Sequence, residues 1–292
     1  MTTRTVAVPG ATLTYDVHGE LAPGVTPLVL AASPMDASGF ETLRSHFTDR
    51  VVVTYDPRNT GRSVRDEPTA GVSPEEHADD LHAVLADLGS GPVDLFGSSG
   101  GAVNGLHLVA RHPDDVRLLV AHEPPAANVL GDEAEVAAVC DDMVATYDAH
   151  GVGPAMAKFI AFVMHRGPTP PDHLEQPAPE PAAFGLPTED DGSRNDPLMS
   201  NLRGGNVHRG LPDVEAVSRA ATRVVVAVGE ESGGPDDGEM PARAAYGVAA
   251  ALGQEVVVFP SHHAGFLGGE FGQTGEPEAF AVRLRDVLER AG

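Results

Sequence analysis

The sequence predicts an α/β fold in which helices cover both faces of a mostly parallel central sheet. Two observations predict it: short apolar runs recur along the chain, and helical patterns lie between most of them. The runs predicted to be buried strands are Leu28–Ala32, Val51–Tyr55, Val93–Phe96, Leu118–Ala121, Val224–Val228 and Val256–Phe259. Strands that alternate with helices in this way indicate a parallel sheet with both faces buried.

The first element departs from this pattern. Apolar and polar residues alternate in Thr5–Val8 and again in Leu13–Val17, with the turn pair Pro9-Gly10 between them, so an antiparallel hairpin is predicted. Ser73 stands three residues before Glu76, the spacing of a capping box at a helix start. The helices predicted between and after these strands are Pro74–Leu88, Ala102–Ala110, Met240–Leu252 and Pro277–Ala291.

One stretch of about a hundred residues interrupts the alternation. It contains helical patterns at Glu133–His150 and Pro154–His165. Seven prolines then fall between Pro168 and Pro187, and these predict a loop, because proline continues neither a helix nor a central strand. We predict a cap or lid at residues 124–221, inserted into a core formed by residues 1–123 and 222–292.

Composition excludes several functional classes. The chain has 43 acidic and 19 basic side chains, a formal net charge of −24, which disfavours binding to nucleic acid or to anionic membranes. Cys140 is the single cysteine, so an internal disulfide and a zinc site built on paired cysteines are excluded. Without an apolar stretch of signal-peptide or membrane-span length, the sequence predicts a soluble, cytoplasmic protein. A homodimer is left open.

The motif with the clearest chemistry is Gly97-Ser98-Ser99-Gly100-Gly101, which fits G-x-S-x-G. It directly follows a predicted strand and opens a predicted helix, which is the setting of a nucleophile elbow. Glycines two residues before and after Ser99 permit the sharp turn. The backbone N–H of Gly100 would then face a developing oxyanion.

With this elbow the chain resembles the α/β-hydrolase superfamily, and three further segments agree. Asp56–Ser63 is similar to the D-x-R-G-x-G-x-S turn, with Asn59 in place of the first glycine. Leu28–Phe40 lies where the family has its first buried strand and oxyanion loop, and Pro260–Phe266 lies where it keeps its histidine. The resemblance implies an esterase-like serine enzyme that needs neither a metal nor a cofactor.

Two adjacent histidines compete for the role of general base to Ser99. His263 begins an H-x-G-F sequence, the spacing that the family resemblance favours, whereas His262 does not. His263 is therefore the predicted base, and His262 is expected to contact the substrate.

The acid of the triad has two candidates. The family usually places it at the position that Ser232 holds here, with Glu231 one residue earlier. A second family arrangement takes the acid from the end of the preceding strand, where this chain has Glu123. Glu123 is favoured because the strand before it and Pro124-Pro125 after it restrict its backbone. Glu231 remains the alternative.

The oxyanion loop departs from the family pattern. Ala32-Ser33 replaces the usual His-Gly pair, and Pro34 has no N–H to donate. The N–H of Met35 is the predicted second donor, with the Ser33 hydroxyl as a helper. The residues expected to contact a substrate are Ser33, Pro34, Ser98 and His262.

The predicted function is hydrolysis of a small-molecule ester, lactone or thioester through an acyl-enzyme on Ser99. Serine at the elbow argues against dehalogenase and epoxide-hydrolase chemistry, which uses a carboxylate there. Two alternatives remain: a noncatalytic small-molecule receptor, and a natural-product tailoring enzyme that catalyses carbon–carbon hydrolysis, cyclisation or dehydration. The polar residues His77, Asp79, Asp80 and His82 are predicted to form a solvated helix face rather than a metal site.

Overall fold

The computed structural model describes residues 1–290, and a nine-stranded sheet forms its centre. The strands are β1 Thr2–Val8, β2 Ala11–His18, β3 Leu28–Ser33, β4 Val52–Asp56, β5 Val64–Arg65, β6 Val93–Ser99, β7 Val116–His122, β8 Arg223–Gly229 and β9 Val257–Phe259. Their order across the sheet is β1-β2-β4-β3-β6-β7-β8-β9, and β5 pairs with β2.

The sheet is antiparallel at one edge and parallel elsewhere. β1 and β2 pair as a hairpin that closes at Val8 and Ala11, around the predicted turn. β2 is also antiparallel to β4 and β5, whereas every neighbouring pair from β4 to β9 is parallel. The predicted fold class, with its N-terminal hairpin and mostly parallel sheet, is therefore confirmed.

The helices lie between the strands. They are α1 Glu41–Ser45, α2 Pro74–Leu88, α3 Gly100–Arg111, α4 Glu133–His150, α5 Val152–Val163, α6 Pro197–Gly204, α7 Val214–Arg219, α8 Met240–Ala251 and α9 Pro277–Glu289. α2 begins with the predicted capping box: the Ser73 hydroxyl accepts from the Glu76 N–H, and the Glu76 carboxylate accepts from the Ser73 N–H. The predicted end of the last helix at Ala291 lies outside the described residues.

Two apolar clusters fill the two faces of the sheet. Successive side chains of a strand point to opposite faces, so Val29 and Leu95 belong to one cluster while Leu30 and Phe96 belong to the other. The first cluster contains residues of α2, α3 and α8, and the second contains residues of α1 and α9. Burial on both faces explains why the central strands read as continuous apolar runs.

Residues 124–221, between β7 and β8, contain α4 to α7. α4 has the predicted bounds, whereas α5 begins two residues before the predicted Pro154. The proline-rich run is a loop with two short 3₁₀ turns, at His173–Glu175 and Pro181–Phe184. α6 and α7 were not predicted, because both are short. Among residues 1–290, no helix combines the length and the apolarity that a membrane crossing requires.

Candidate active site

The site begins at the junction of β6 and α3. Ser99 has a φ of 54° and a ψ of −126° there, a backbone conformation that residues other than glycine rarely adopt. The residue after Ser99 is glycine because β3 approaches it closely: a Cβ on Gly100 would lie 2.5 Å from the carbonyl oxygen of Ser33. A Cβ on Gly97 would lie 2.6 Å from the Gly101 carbonyl oxygen. The strand–turn–helix setting expected for the motif is present.

Ser99 opens into a cavity of about 360 Å³. Its floor, which is mostly polar, comes from the sheet region (residues 1–123 and 222–290) and includes Ser33, Pro34, Ser99, Gly100, His262 and His263. Most of its apolar wall comes from residues 124–221, and the apolar residues there include Cys140, Met143, Phe159, Phe162, Val163, Met164, Leu198, Leu202 and Val207. A small set of polar groups within apolar walls is typical of a small-molecule site.

Glu123 and His263 form a directly hydrogen-bonded pair at this floor. Nδ1 of His263 lies 2.5 Å from Oε2 of Glu123, and the other carboxylate oxygen accepts from the Gly229 N–H at 2.8 Å. Glu123 is completely buried and has a positive φ of 48°. Its backbone N–H donates to the Ala227 carbonyl at 2.9 Å. The carboxylate is thus fixed between the ends of β7 and β8.

The charges of this pair shift both pKa values. Burial by itself would raise the pKa of Glu123, but the hydrogen bond and charge of His263 outweigh it and hold this pKa at about 2. For His263, burial lowers the pKa, whereas the hydrogen bond to Glu123 and the charges of Glu123 and Glu239 raise it above its ordinary value. With Nδ1–H donating to the carboxylate, Nε2 of His263 is left to accept a proton.

The alternative acid lies elsewhere. The side chain of Glu231 is exposed, and its backbone is held by a bond from its N–H to the Ser261 carbonyl at 3.0 Å. Ser232, at the family's usual acid position, is completely buried. The carboxylate that accepts the hydrogen bond of His263 therefore lies at the end of β7 and not in the loop after β8.

The turn after β4 organises the loop that follows β3. Oδ1 of Asp56 accepts from the Ala37 N–H at 2.9 Å, and Oδ2 accepts from the Arg62 N–H at 2.9 Å. Asn59 has the left-handed φ of 62° that the replaced glycine position requires. Met35 lies in the loop thus held, and its side chain packs over Gly39. The motif residues therefore shape the predicted oxyanion loop.

Ser98 differs from the expectation that it contacts a substrate. It is 2% exposed, does not line the cavity, and its hydroxyl lies 3.1 Å from Nδ1 of His122. The reason is strand alternation, because Ser98 and Ser99 point to opposite sides of β6. Burial holds the pKa of His122 at about 4, so this ring is a neutral packing group beneath the Glu123–His263 pair.

The predicted solvated face of α2 is wrong for two of its four residues. Asp80 is buried and forms a bidentate ion pair with Arg58, at 2.8 and 2.6 Å. His77 is buried and contacts Asn201 of α6. These partners come from distant parts of the chain, so the helical pattern of α2 could not indicate them.

One cluster outside the cavity has the composition of a metal site. His82, His112 and Asp115 bring ligand atoms within 4.8 Å of one another. However, the two imidazoles stack in nearly parallel planes, 7° apart, and each already bonds an aspartate: His82 to Asp115, and His112 to Asp79. Lone pairs in parallel planes do not converge on one ion, so the arrangement is that of two separate histidine–aspartate hydrogen bonds.

Four polar residues that line the cavity were not predicted from the sequence: Asn201, Asn206, Glu239 and Gln273. Glu239 precedes α8, and its pKa is raised by burial and by the nearby charge of Glu123. Asn201 belongs to α6, whose start carries a recognisable signal: Asp196 caps it by accepting from the Met199 N–H at 3.0 Å. Asp196-Pro197 could have identified this helix, but not the direction in which Asn201 points.

Comparison with known proteins identifies the class. Residues 29–175, half of the chain, match the family model of the alpha/beta hydrolase fold, and the chain belongs to this family. The uncharacterized hydrolase YraK of Bacillus subtilis is 38% identical over 135 residues, which are 46% of this chain and 49% of YraK. The putative carbamate hydrolase RutD of Caulobacter segnis is 35% identical over 108 residues, 36% of this chain and 40% of RutD. The chain thus spans half or less of the length of these curated relatives.

Solved structures show the same architecture over almost the entire chain. A thermophilic esterase from Thermogutta terrifontis superposes with a TM-score of 0.68 and 17% identity, covering 100% of this chain and 99% of the esterase. The enol-lactonase from Burkholderia xenovorans LB400 gives a TM-score of 0.65 and 19% identity, covering 98% of this chain and 100% of that one. At these identities the likeness establishes the fold alone.

Proposed function

We propose that the protein is a serine hydrolase that cleaves an ester, lactone or thioester of a small molecule through an acyl-enzyme on Ser99. The observation that carries the proposal is the contact between Glu123 and Nδ1 of His263, at the floor of the cavity into which Ser99 opens. A serine hydroxyl needs such an oriented base, because it is a weak nucleophile at neutral pH.

In this proposal Nε2 of His263 takes the Ser99 proton as Oγ attacks the substrate carbonyl. Glu123 keeps the ring in the tautomer with the proton on Nδ1 and stabilises the imidazolium that forms. The same imidazolium then protonates the leaving group. Water, activated by His263, hydrolyses the acyl-enzyme in the second half of the reaction.

The tetrahedral intermediates need donors for their oxyanion. The Gly100 N–H, at the first residue of α3, is the proposed first donor, and the Met35 N–H is the proposed second. The position of Gly100 at a helix N-terminus adds the favourable end of the helix dipole. Support for Met35 comes from the loop that Asp56 holds beside the elbow.

The cavity favours an apolar substrate group. Its walls contain two phenylalanines, Phe159 and Phe162, and the buried Met143, and they come from residues 124–221, which we propose to be the cap. Cys140 in the same wall is inert, because burial raises the pKa of its thiol to about 12. We expect an acyl group of intermediate length to occupy this space.

The test uses an activated fluorophosphonate, which labels a serine nucleophile covalently. We expect stoichiometric labelling that maps by mass spectrometry to Ser99, hydrolysis of p-nitrophenyl butyrate by the wild type, and neither in Ser99→Ala. The variant should keep or gain thermal stability, because the strained elbow serine contributes little packing. Full ester hydrolysis by Ser99→Ala, or absence of labelling in folded wild type, would refute the proposal. The absence of both activities from the wild type would favour a receptor.

A further inference from the structure

A chain of hydrogen bonds leads from the interior of the protein to the oxyanion loop. Nε2 of His77, on α2, lies 2.8 Å from Oδ1 of Asn201, on α6. Nδ2 of Asn201 donates to the hydroxyl of Ser33, at the end of β3, over 2.8 Å. All three side chains are buried, with exposures of 1% for His77, 6% for Asn201 and 4% for Ser33. The ester mechanism proposed above assigns no role to these hydrogen bonds.

The unpaired nitrogen of His77 determines which groups donate and which accept in this series of hydrogen bonds. Nδ1 of His77 is buried and has no hydrogen-bond partner among the described residues. Burial lowers the pKa of this histidine, so its ring is neutral and one nitrogen carries the proton. Buried N–H donors are left unpaired more rarely than acceptors. The proton is therefore on Nε2 and is donated to Oδ1 of Asn201, which turns the amide N–H₂ toward Ser33.

The Ser33 hydroxyl consequently keeps its own proton for another acceptor, because its oxygen already accepts from Asn201. Ser33 pairs in register with Ser99 across β3 and β6 and lines the cavity beside it. A Cβ on Gly100 would lie only 3.1 Å from Cβ of Ser33. The hydroxyl thus lies next to the residue whose N–H is the proposed first oxyanion donor.

We infer that the Ser33 hydroxyl is a third oxyanion donor, oriented by the His77–Asn201 hydrogen-bond chain. The inference deepens the proposed function and rests on it. Ser33 is the catalytic residue here, while Asn201 and His77 are positioning residues. A donor that already points at the oxyanion needs no reorientation when charge develops, which makes it most effective in the transition state.

This arrangement makes the oxyanion site depend on residues 124–221. Asn201 belongs to that segment, whereas Ser33 and Gly100 belong to the sheet region. The segment would then do more than enclose the substrate, since it also holds one donor of the core in its active orientation.

The experiment compares Ser33→Ala and Asn201→Asp with wild type on p-nitrophenyl butyrate, with active enzyme counted by fluorophosphonate titration. Ser33→Ala should lower kcat by about 10²-fold and leave KM nearly unchanged, the pattern of a lost transition-state contact. Asn201→Asp should lower kcat similarly, because an oxygen in place of Nδ2 accepts the Ser33 proton and turns it away from the cavity. Ser200→Ala is the matched control: its hydroxyl is buried on the same helix, has no hydrogen-bond partner within residues 1–290 and does not line the cavity. Its kcat should stay at the wild-type value.

A second measurement separates catalysis from folding. Phenylboronic acid forms a tetrahedral adduct with a serine nucleophile, so its inhibition constant should rise by about the same factor as kcat falls in Ser33→Ala. Inhibition by butyrate, a ground-state product, should not change. The double variant that combines Ser33→Ala with Asn201→Asp should have a kcat no lower than that of Ser33→Ala, because Asn201 acts through Ser33.

Wild-type kcat in Ser33→Ala would overturn the inference, and so would losses that multiply in the double variant, since Asn201 would then contact the substrate by itself. Either outcome leaves the proposed function standing as long as Ser99→Ala is inactive. Wild-type activity in Ser99→Ala would instead refute the serine mechanism and the inference that rests on it.

Discussion

The sheet region and residues 124–221 contribute different things to one cavity. The sheet region supplies the polar floor, with Ser99, Gly100 and His263, whereas the segment after β7 supplies most of the apolar wall. The floor depends on unusual backbone positions, such as the positive φ of Ser99 and of Glu123. The wall depends on packing, for which many apolar side chains of suitable volume suffice.

The difference between floor and wall determines where substitutions should act. Polar groups held by strained, buried backbone act as one unit, so the loss of any member should abolish most of the rate. Wall residues contact the substrate through apolar surface, and each such contact is worth only a factor of about ten to a few hundred in selectivity. We expect large effects on rate in the floor and moderate effects on selectivity in the wall.

The largest effect is expected for the base. His263→Ala should lower kcat for p-nitrophenyl butyrate by at least about 10⁴-fold, because Ser99 then lacks a proton acceptor. His262→Ala is the matched control, since it removes a neighbouring imidazole whose Nδ1 accepts from the Ala264 N–H at 3.1 Å. Steady-state kinetics should show a mild change for it. The reverse ranking would assign the base to His262.

The acid should come next. Glu123→Gln should lower kcat by about 10³-fold, because an amide cannot stabilise the imidazolium of His263 as a carboxylate does. Glu231→Gln should leave kcat near the wild-type value, since its side chain is exposed. Both variants should be assayed at equal folded concentration, checked by circular dichroism. Equal losses in the two variants would contradict the assignment of the acid to Glu123.

The pH dependence should report the same pair. The raised pKa of His263 means that kcat/KM should fall about tenfold per pH unit on the acid side, with a midpoint above 6.5. Glu123, with a pKa of about 2, remains ionised throughout this range. In Glu123→Gln the midpoint should move to lower pH, because the carboxylate that contributes most to the raised pKa of His263 is gone and only the charge of Glu239 still raises it. An unchanged midpoint would show that another group titrates.

The smallest effect is expected in the wall. Phe159→Ala should enlarge the cavity and shift the preference among p-nitrophenyl esters toward longer acyl chains by about tenfold in relative kcat/KM. Leu174→Ala is the control, because Leu174 is half exposed in the same segment and does not line the cavity. A loss of rate that is equal for all chain lengths would argue against an acyl-binding wall.

Much of the core could be predicted because its signals are local. Strand alternation, apolar runs and the capping pair Ser73 and Glu76 each act within a few residues, so the hairpin and α2 agree with the structure. The expectation that Ser98 contacts a substrate differs from the structure, because a shift of one residue along a strand moves a side chain to the opposite face of the sheet. The prediction that His77 and Asp80 are solvated was wrong, because their partners, Asn201 and Arg58, lie far away in the sequence.

Local sequence patterns were enough to infer the α/β class, the elbow around Ser99 and the two candidates for each of base and acid. The folded structure was needed to show that Glu123, and not Glu231, contacts His263, and that Asn201 reaches Ser33. The two groups of features differ in the range of the interactions that produce them. Backbone turns and helix caps are set by neighbouring residues, whereas hydrogen bonds between side chains on separate elements exist only once the sheet has brought those elements together.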